Sequence, residues 1–204
     1  SHNNNLDANI GSGTSSGSGI ALEGSNRNNI TNNIANSNDI FGIKLSSSEY
    51  NVIHNNTANS NGASSGSGIY LFGSNNNNVT STMASSGSGY GIRLYSSGSN
   101  KIENSVLTAP NDCLQFDSSS NSNLAINNTI SSCGEGLGIF SSNSNQAINN
   151  TIKSSGSTGG LQINDGAQNI IVNNNISGTA GGNDLVIVST SNQNYNNTIT
   201  SNNL

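Results

Sequence analysis

Apolar residues recur along the chain in one short phrase: a glycine or aspartate, an apolar residue, any residue, and a second apolar residue. The phrase runs Gly19-Ile20-Ala21-Leu22, Gly42-Ile43-Lys44-Leu45, Gly68-Ile69-Tyr70-Leu71 and Gly91-Ile92-Arg93-Leu94. It continues as Cys113-Leu114-Gln115-Phe116, Gly136-Leu137-Gly138-Ile139, Gly160-Leu161-Gln162-Ile163 and Asp184-Leu185-Val186-Ile187. The first apolar residue falls at 20, 43, 69, 92, 114, 137, 161 and 185, in steps of 22 to 26. About ten residues later comes a second phrase, Asn-Asn-any-Ile, clearest at Asn127–Ile130, Asn149–Ile152, Asn173–Ile176 and Asn196–Ile199. Apolar and polar residues alternating over four to six positions predict short, half-buried strands. A unit of ~23 residues is too short for a strand–helix–strand crossover, and no segment carries an amphipathic helical period. Each unit is therefore one turn of backbone, with two main strands joined by tight Gly/Asn/Ser corners. One unit cannot bury its own apolar stripe; stacking at ~4.8 Å puts Ile on Ile and Leu on Leu. The pattern predicts an all-β fold: a parallel β-solenoid (β-helix or stacked β-arches) of about eight coils, one domain over residues 1–204.

Composition sharpens this picture. Charged residues are 7% of the chain, against about a quarter in an ordinary domain, and the net charge is -5. Asparagine at equivalent corners can form ladders of side-chain amides and tolerates left-handed backbone, which gives the Asn richness a structural purpose. Arg27, Lys44, Arg93, Lys101 and Lys153 are scattered, so the clustered positive charge of a nucleic-acid partner is missing. No apolar run approaches the ~20 residues of a membrane-spanning helix. A chain that opens at Ser1 without Met fits a mature, exported protein.

The succession Gly-Ile-x-Leu, then Ser-x-x-Asn-x-Ile-x-Asn-Asn, resembles the parallel β-helix repeat of the NosD and carbohydrate-binding/sugar-hydrolase families. The resemblance spans Asn9 to Ile199 and implies the fold. It says little of activity, because that fold hosts lyases, epimerases, adhesins and passive walls alike. Repeats of this kind are frequent in surface proteins of methanogenic archaea. In composition, repeat and ends the chain also resembles the amyloid-like major sheath proteins of filamentous methanogens.

The search for chemistry starts from ten acidic residues. Glycoside hydrolysis usually needs two carboxylates about one bond, and Asp112, Asp117 and Glu135 are the nearest to a cluster. Asn111-Asp112-Cys113 is similar to the Asp-Asp-Cys segment of polygalacturonases. It departs at Asn111, and no Gly-His-Gly or Arg-Ile-Lys follows. A lyase or epimerase needs a base beside its acids; Lys101 with Glu103, and Arg93 with Tyr95, supply candidates in one coil. The structural alternative for Lys101, Glu103, Arg93 and Tyr95 is an outward, solvated side chain, and the expectation is that the chain is not an enzyme. His2 and His54 are far apart in sequence, and no carboxylate set matches a calcium loop. No metal and no cofactor are expected.

Cys113 and Cys133 are disulfide candidates. The spacing leaves a bond between neighbouring coils, a bond between molecules and a pair of buried thiols all open. Seven Asn-x-Ser/Thr sequons begin at Asn29, Asn55, Asn78, Asn127, Asn149, Asn175 and Asn196; they fit glycosylation of an exported protein or the repeat's own ladders. The chain begins and stops mid-repeat, with no helix or charged strand over either end. Open strand edges pair readily with other chains. The leading expectation is thus a structural subunit of an extracellular sheath, wall or filament. It would assemble with copies of itself, with cell-surface glycans as further partners and without nucleic acid or a membrane span. The alternatives are an extracellular carbohydrate-binding or polysaccharide-processing β-helix, and an adhesin. The carbohydrate reading calls for an exposed aromatic row drawn from Tyr50, Tyr70, Phe72, Tyr90, Tyr95 and Phe140, with some of those at 70, 72 and 95 expected in the ladder core.

Overall fold

Three strands per coil, rather than two, build the solenoid. The computed structural model describes residues 2–14, 17–37, 39–62, 66–178, 183–189 and 195–204, and leaves the side chains of 157 and 158 aside. It is an all-β parallel solenoid of about seven turns, close to the eight expected, with no helix among the described residues. A coil is typified by the strands Asn78–Thr80, Met83–Ser86 and Tyr90–Tyr95. The first kind of strand stacks into a nine-stranded sheet. The second and third kinds form two faces of a fourteen-stranded sheet, joined where Thr129–Phe140 and Thr151–Asn164 run round the corner unbroken. The extra strand comes from a left-handed residue inside each Asn-rich segment, which ends one strand and starts the next. Asn55 (φ 52°), Asn104 (φ 50°), Asn127 (φ 55°) and Asn149 (φ 55°) hold that corner, a conformation that Asn adopts more readily than most residues.

The register is that of the sequence phrase. Ile20, Ile43, Ile69, Ile92, Leu114, Leu137, Leu161 and Leu185 stack in one line, and Leu22, Leu45, Leu71, Leu94, Phe116, Ile139, Ile163 and Ile187 in a second. Ile30, Ile53, Val79 and Ile102 line the first sheet, and Ala35, Ala58, Ala84 and Leu107 the second face. Together, apart from the exposed Ile187 of the last coil, these make one continuous core. Alanine on the second face lets the third face come close. A Cβ built on Gly68 would lie 2.6 Å from the Ser85 nitrogen and 2.7 Å from the Ala58 oxygen, so the glycine of the phrase is a packing requirement.

Polar ladders run beside the apolar ones. Asn28, Asn51, Asn77, Asn100, Asn123 and Asn145 are buried, and each side-chain oxygen accepts from the backbone nitrogen one coil earlier. Ser48, Ser74, Ser97, Ser120 and Ser142 repeat the device. In the fifth coil the phrase's glycine is replaced by Cys113, and a disulfide joins it to Cys133, with a Cα–Cα distance of 5.5 Å. Both residues are fully buried. The pairing of Thr129–Phe140 with the next coil slips on either side of Cys133. That irregularity brings a residue off the ladder period to the bridge. A bond closing a loop of 20 residues constrains the unfolded chain by about 3 kcal/mol. The Cys113→Ser/Cys133→Ser double variant should lower the urea midpoint by that equivalent, and reductant should do the same to the parent and nothing to the variant.

Candidate active site

The third face carries three rows of side chains outside the apolar ladders. Lys44, Tyr70, Arg93, Gln115, Gly138 and Gln162 make the central row. Ser46, Phe72, Tyr95, Asp117, Phe140 and Asn164 make the row on the C-terminal side. On the other side Asp112 stacks directly on Glu135. The aromatic residues Tyr70, Phe72 and Tyr95 therefore face outward. None of them belongs to the apolar ladder, because each is offset by one position from the buried Leu71 and Leu94. Phe41, Tyr70, Phe72 and Tyr95 stack in succession, with ring centroids 4.7, 6.2 and 5.8 Å apart. Tyr90 and Tyr95 hold the Arg93 guanidinium over their rings at 4.8 and 5.5 Å. Tyr50 lies apart at a corner, where Arg27 covers it.

The aromatic stack leads to a group of carboxylates. Arg93 donates to Asp117 Oδ2 at 2.7 Å, and Gln115 Nε2 donates to Asp112 Oδ2 at 2.8 Å. Glu135 is 4% exposed and Gln115 8%, so the side chains at this centre are largely withdrawn from water. A Cβ built on Gly138 would meet Phe140 Cε2 at 2.2 Å and Glu135 Oε1 at 2.7 Å. The ring edge and the carboxyl thus share the space that a side chain at 138 would occupy. The glycine is what lets Glu135 lie across the face.

Burial, and then the neighbouring Asp112, push the Glu135 carboxyl up to about 8. Burial raises Asp112 to about 6, against the Gln115 hydrogen bond and the Arg93 charge, which lower it. A carboxylic acid and a carboxylate thus stand side by side at neutral pH. Pairs of titratable groups driven apart by their surroundings are how acid and base roles are assigned in a site. Buried polar atoms without a hydrogen-bond partner gather here as well: Arg93 Nε, Gln115 Oε1, Glu135 Oε1 and Asn164 Oδ1. Unpartnered buried polar atoms are rare in native proteins, and a concentration of them on one face marks a place built for a further partner.

The other sequence candidates lie elsewhere. Lys101 and Glu103 pair with each other on the first sheet, away from Arg93 and Tyr95. Of the sequon asparagines, Asn29, Asn55, Asn127, Asn149, Asn175 and Asn196 are exposed and Asn78 is half-buried. A concavity of about 210 Å³ lined by Leu6, Leu22 and Ile30 opens at the first coil. It lies at the first-coil end of the apolar ladders, several coils from the carboxylates.

A parallel β-helix with an acid pair beside an outward aromatic ladder is the class this geometry defines. The family model for the periplasmic copper-binding protein NosD matches residues 1–123 and 63–204, and the chain belongs to that family. No curated protein matches it in sequence. Among solved structures, DFA-IIIase from Arthrobacter chlorophenolicus A6, without its lid, is 15% identical with a TM-score of 0.73, over 87% of this chain and 48% of that one. A double mutant of the periplasmic alginate epimerase AlgG is 14% identical with a TM-score of 0.74, over 91% and 48%. The chain spans about half the length of these structures, and at such identities the likeness is one of fold.

Two expectations change here. The neighbours named are carbohydrate-active enzymes, which overturns the expectation of a chain that is not an enzyme. Asp112 and Glu135, two of the three acids that the sequence brings nearest to a cluster, are stacked and desolvated. The sheath, filament and archaeal readings draw no support from the family or these neighbours, which favour the carbohydrate alternative. Copper, which the family's name implies, does not fit the donors present. His2 Nδ1 accepts from the Asn26 nitrogen, His54 Nδ1 contacts Thr80, and both cysteine sulfurs are in the disulfide. No cluster of three or more His, Cys, Asp or Glu able to hold an ion exists among the described residues.

Proposed function

We propose that this chain is a carbohydrate-processing β-helix that works outside the cytoplasm, with Asp112 and Glu135 as its acid–base pair on the third face. The observation that carries the reading is the stacking of these two carboxyls, one nearly buried and unpartnered, beside an outward aromatic ladder. The disulfide and the periplasmic names of the family and of AlgG support the location. No helix of the described residues is long and apolar enough to cross a membrane.

The chemistry follows from the two protonation states. Glu135, holding its proton at neutral pH, delivers it to the departing glycosidic oxygen as the anomeric C–O bond breaks. Asp112 takes a proton from the incoming water or sugar hydroxyl, whose oxygen forms the new bond to the anomeric carbon. One proton enters and one leaves, so the pair exchanges states and is reset through solvent. Positioned acid–base groups of this kind contribute ~10²–10⁴-fold in rate.

The test is product release from a panel of oligosaccharides, followed by chromatography for the parent and for Asp112→Asn. The parent should turn over at least one saccharide. The variant, which keeps the Gln115 hydrogen bond through its amide oxygen, should lose about 100-fold or more in kcat with unchanged melting. Turnover equal to the parent's in Asp112→Asn, or a panel neither bound nor processed, would remove the assignment.

A further inference from the structure

The outward rows of the third face carry two cations among the described residues, and each already faces a carboxylate. Lys44 Nζ lies 3.2 Å from Glu23 Oε1, and Arg93 lies 2.7 Å from Asp117 Oδ2. Beside them stand Asp112 and Glu135. An anionic sugar placed here would meet carboxylates and no free counter-charge, and like charges in a partly desolvated site repel strongly.

The unpartnered atoms narrow the ligand further. Gln115 has its amide orientation set by donation from Nε2 to Asp112, which leaves Oε1 as a buried acceptor with nothing to accept from. Asn164 Oδ1 is a second such acceptor, and Arg93 Nε an unused donor. The carboxylate of a uronate, or a sulfate group, offers acceptors only at its own position. A hydroxyl group donates and accepts at once, so it satisfies both kinds of vacancy. Phe72, Tyr95 and Phe140 edge the same rows and offer apolar contact to the C–H faces of a sugar ring.

We infer that the saccharide taken by this face is a neutral glycan, recognised through its hydroxyl groups by Gln115, Arg93 and Asn164 beside the aromatic rows. The inference rests on the carbohydrate reading above and specifies its substrate class. Asp117 has a specificity role within it: by offsetting the charge of Arg93 it weakens that guanidinium's attraction for a sugar carboxylate.

Isothermal titration of the full chain against probes of equal length decides the matter. The probes are a gluco-oligosaccharide, a fructo-oligosaccharide, an oligogalacturonate and a deacetylated chito-oligosaccharide. One of the neutral probes should bind at least about 10-fold tighter than either charged probe, with an affinity that barely moves between about 0.05 and 0.5 M salt, where exposed charge pairs are screened. Gln115→Ala should weaken the neutral probe about 10-fold or more, because a site that hydrogen-bonds a hydroxyl discriminates by its buried polar groups. Asp117→Asn, checked for parental melting, should raise oligogalacturonate affinity about 10-fold by releasing Arg93. Tighter binding of the oligogalacturonate or the chito-oligosaccharide by the parent would overturn the neutral class while leaving a carbohydrate site. Absence of binding by all four probes would take the proposed function with it.

Discussion

Glu135→Gln is expected to abolish saccharide turnover and, at pH 9, to make the protein more stable. The two effects have one cause. A carboxyl raised to about 8 in the folded state and ordinary, at about 4.5, in the unfolded state binds its proton more tightly when folded. Below about pH 4.5 both states are protonated and the group contributes no difference. Between about 4.5 and 8 the unfolded state releases the proton while the folded state keeps it, so stability falls as pH rises. Above about 8 the folded state carries a buried charge, and the accumulated cost is on the order of 5 kcal/mol. Glutamine has nearly the same shape and no charge. The variant's urea midpoint should therefore decline less than the parent's from pH 5 to 9. Turnover should drop about 100-fold or more, because the amide cannot deliver the proton. Asp112 titrates in the same window, so the two carboxyls lose protons as a coupled pair, and part of the parent's slope will survive in the variant. A variant that lost activity and stability together at every pH would mark Glu135 as a packing residue instead.

Asn100→Ala should be among the most damaging single changes away from the site. Asn100 is 1% exposed. Its Oδ1 accepts from the Asn77 backbone nitrogen at 2.8 Å, and its Nδ2 donates to the carbonyls of Ser74 and Gly98 and to Asn123 Oδ1. Alanine strands the Asn77 N–H and the Ser74 carbonyl in the interior, at about 1–3 kcal/mol each. The expected loss is about 3–5 kcal/mol, read as a fall in the denaturant midpoint. Asn104→Ala, four residues on, is the control. That asparagine is exposed and serves by its left-handed backbone, so its loss should be about 1–2 kcal/mol. Equal effects at the two positions would mean that corner conformation, and not the internal amide ladder, is what the Asn richness supplies.

The contrast between Asn100 and Asn104 also shows where sequence reading stops. The Gly-Ile-x-Leu phrase carried the fold, because residues stacked in one line must repeat at the coil's own period. The same arithmetic held part of the site. Asp112 and Glu135 are 23 residues apart, the step between Leu114 and Leu137, so their stacking was legible. Their burial was not, because it depends on Gly138 leaving room for Glu135 and Phe140 to lie across the face. The third strand escaped notice because a left-handed Asn and an extended Asn are the same letter. Placing some of Tyr70, Phe72 and Tyr95 in the core, beside their exposed-row reading, is an error of one position, and in a strand one position exchanges inside for outside. The pairing of the cysteines stayed open because Cys133 sits where the register slips, and period counting fails at an irregularity.

That irregularity sits beside the acid pair: Cys113 follows Asp112, and Cys133 precedes Glu135 by two residues. Among the described residues each coil pairs only with the coil above and the coil below. Whole coils could therefore be gained or lost at a distance, by unequal recombination of the repetitive coding sequence, without moving any atom of this centre. On the proposed function, the fold separates two quantities that most enzymes hold together, the reach of the surface along a polymer and the chemistry performed on it. Lineages carrying this domain are free to vary the first as a ruler is cut to length, while the second stays anchored at a single marked turn.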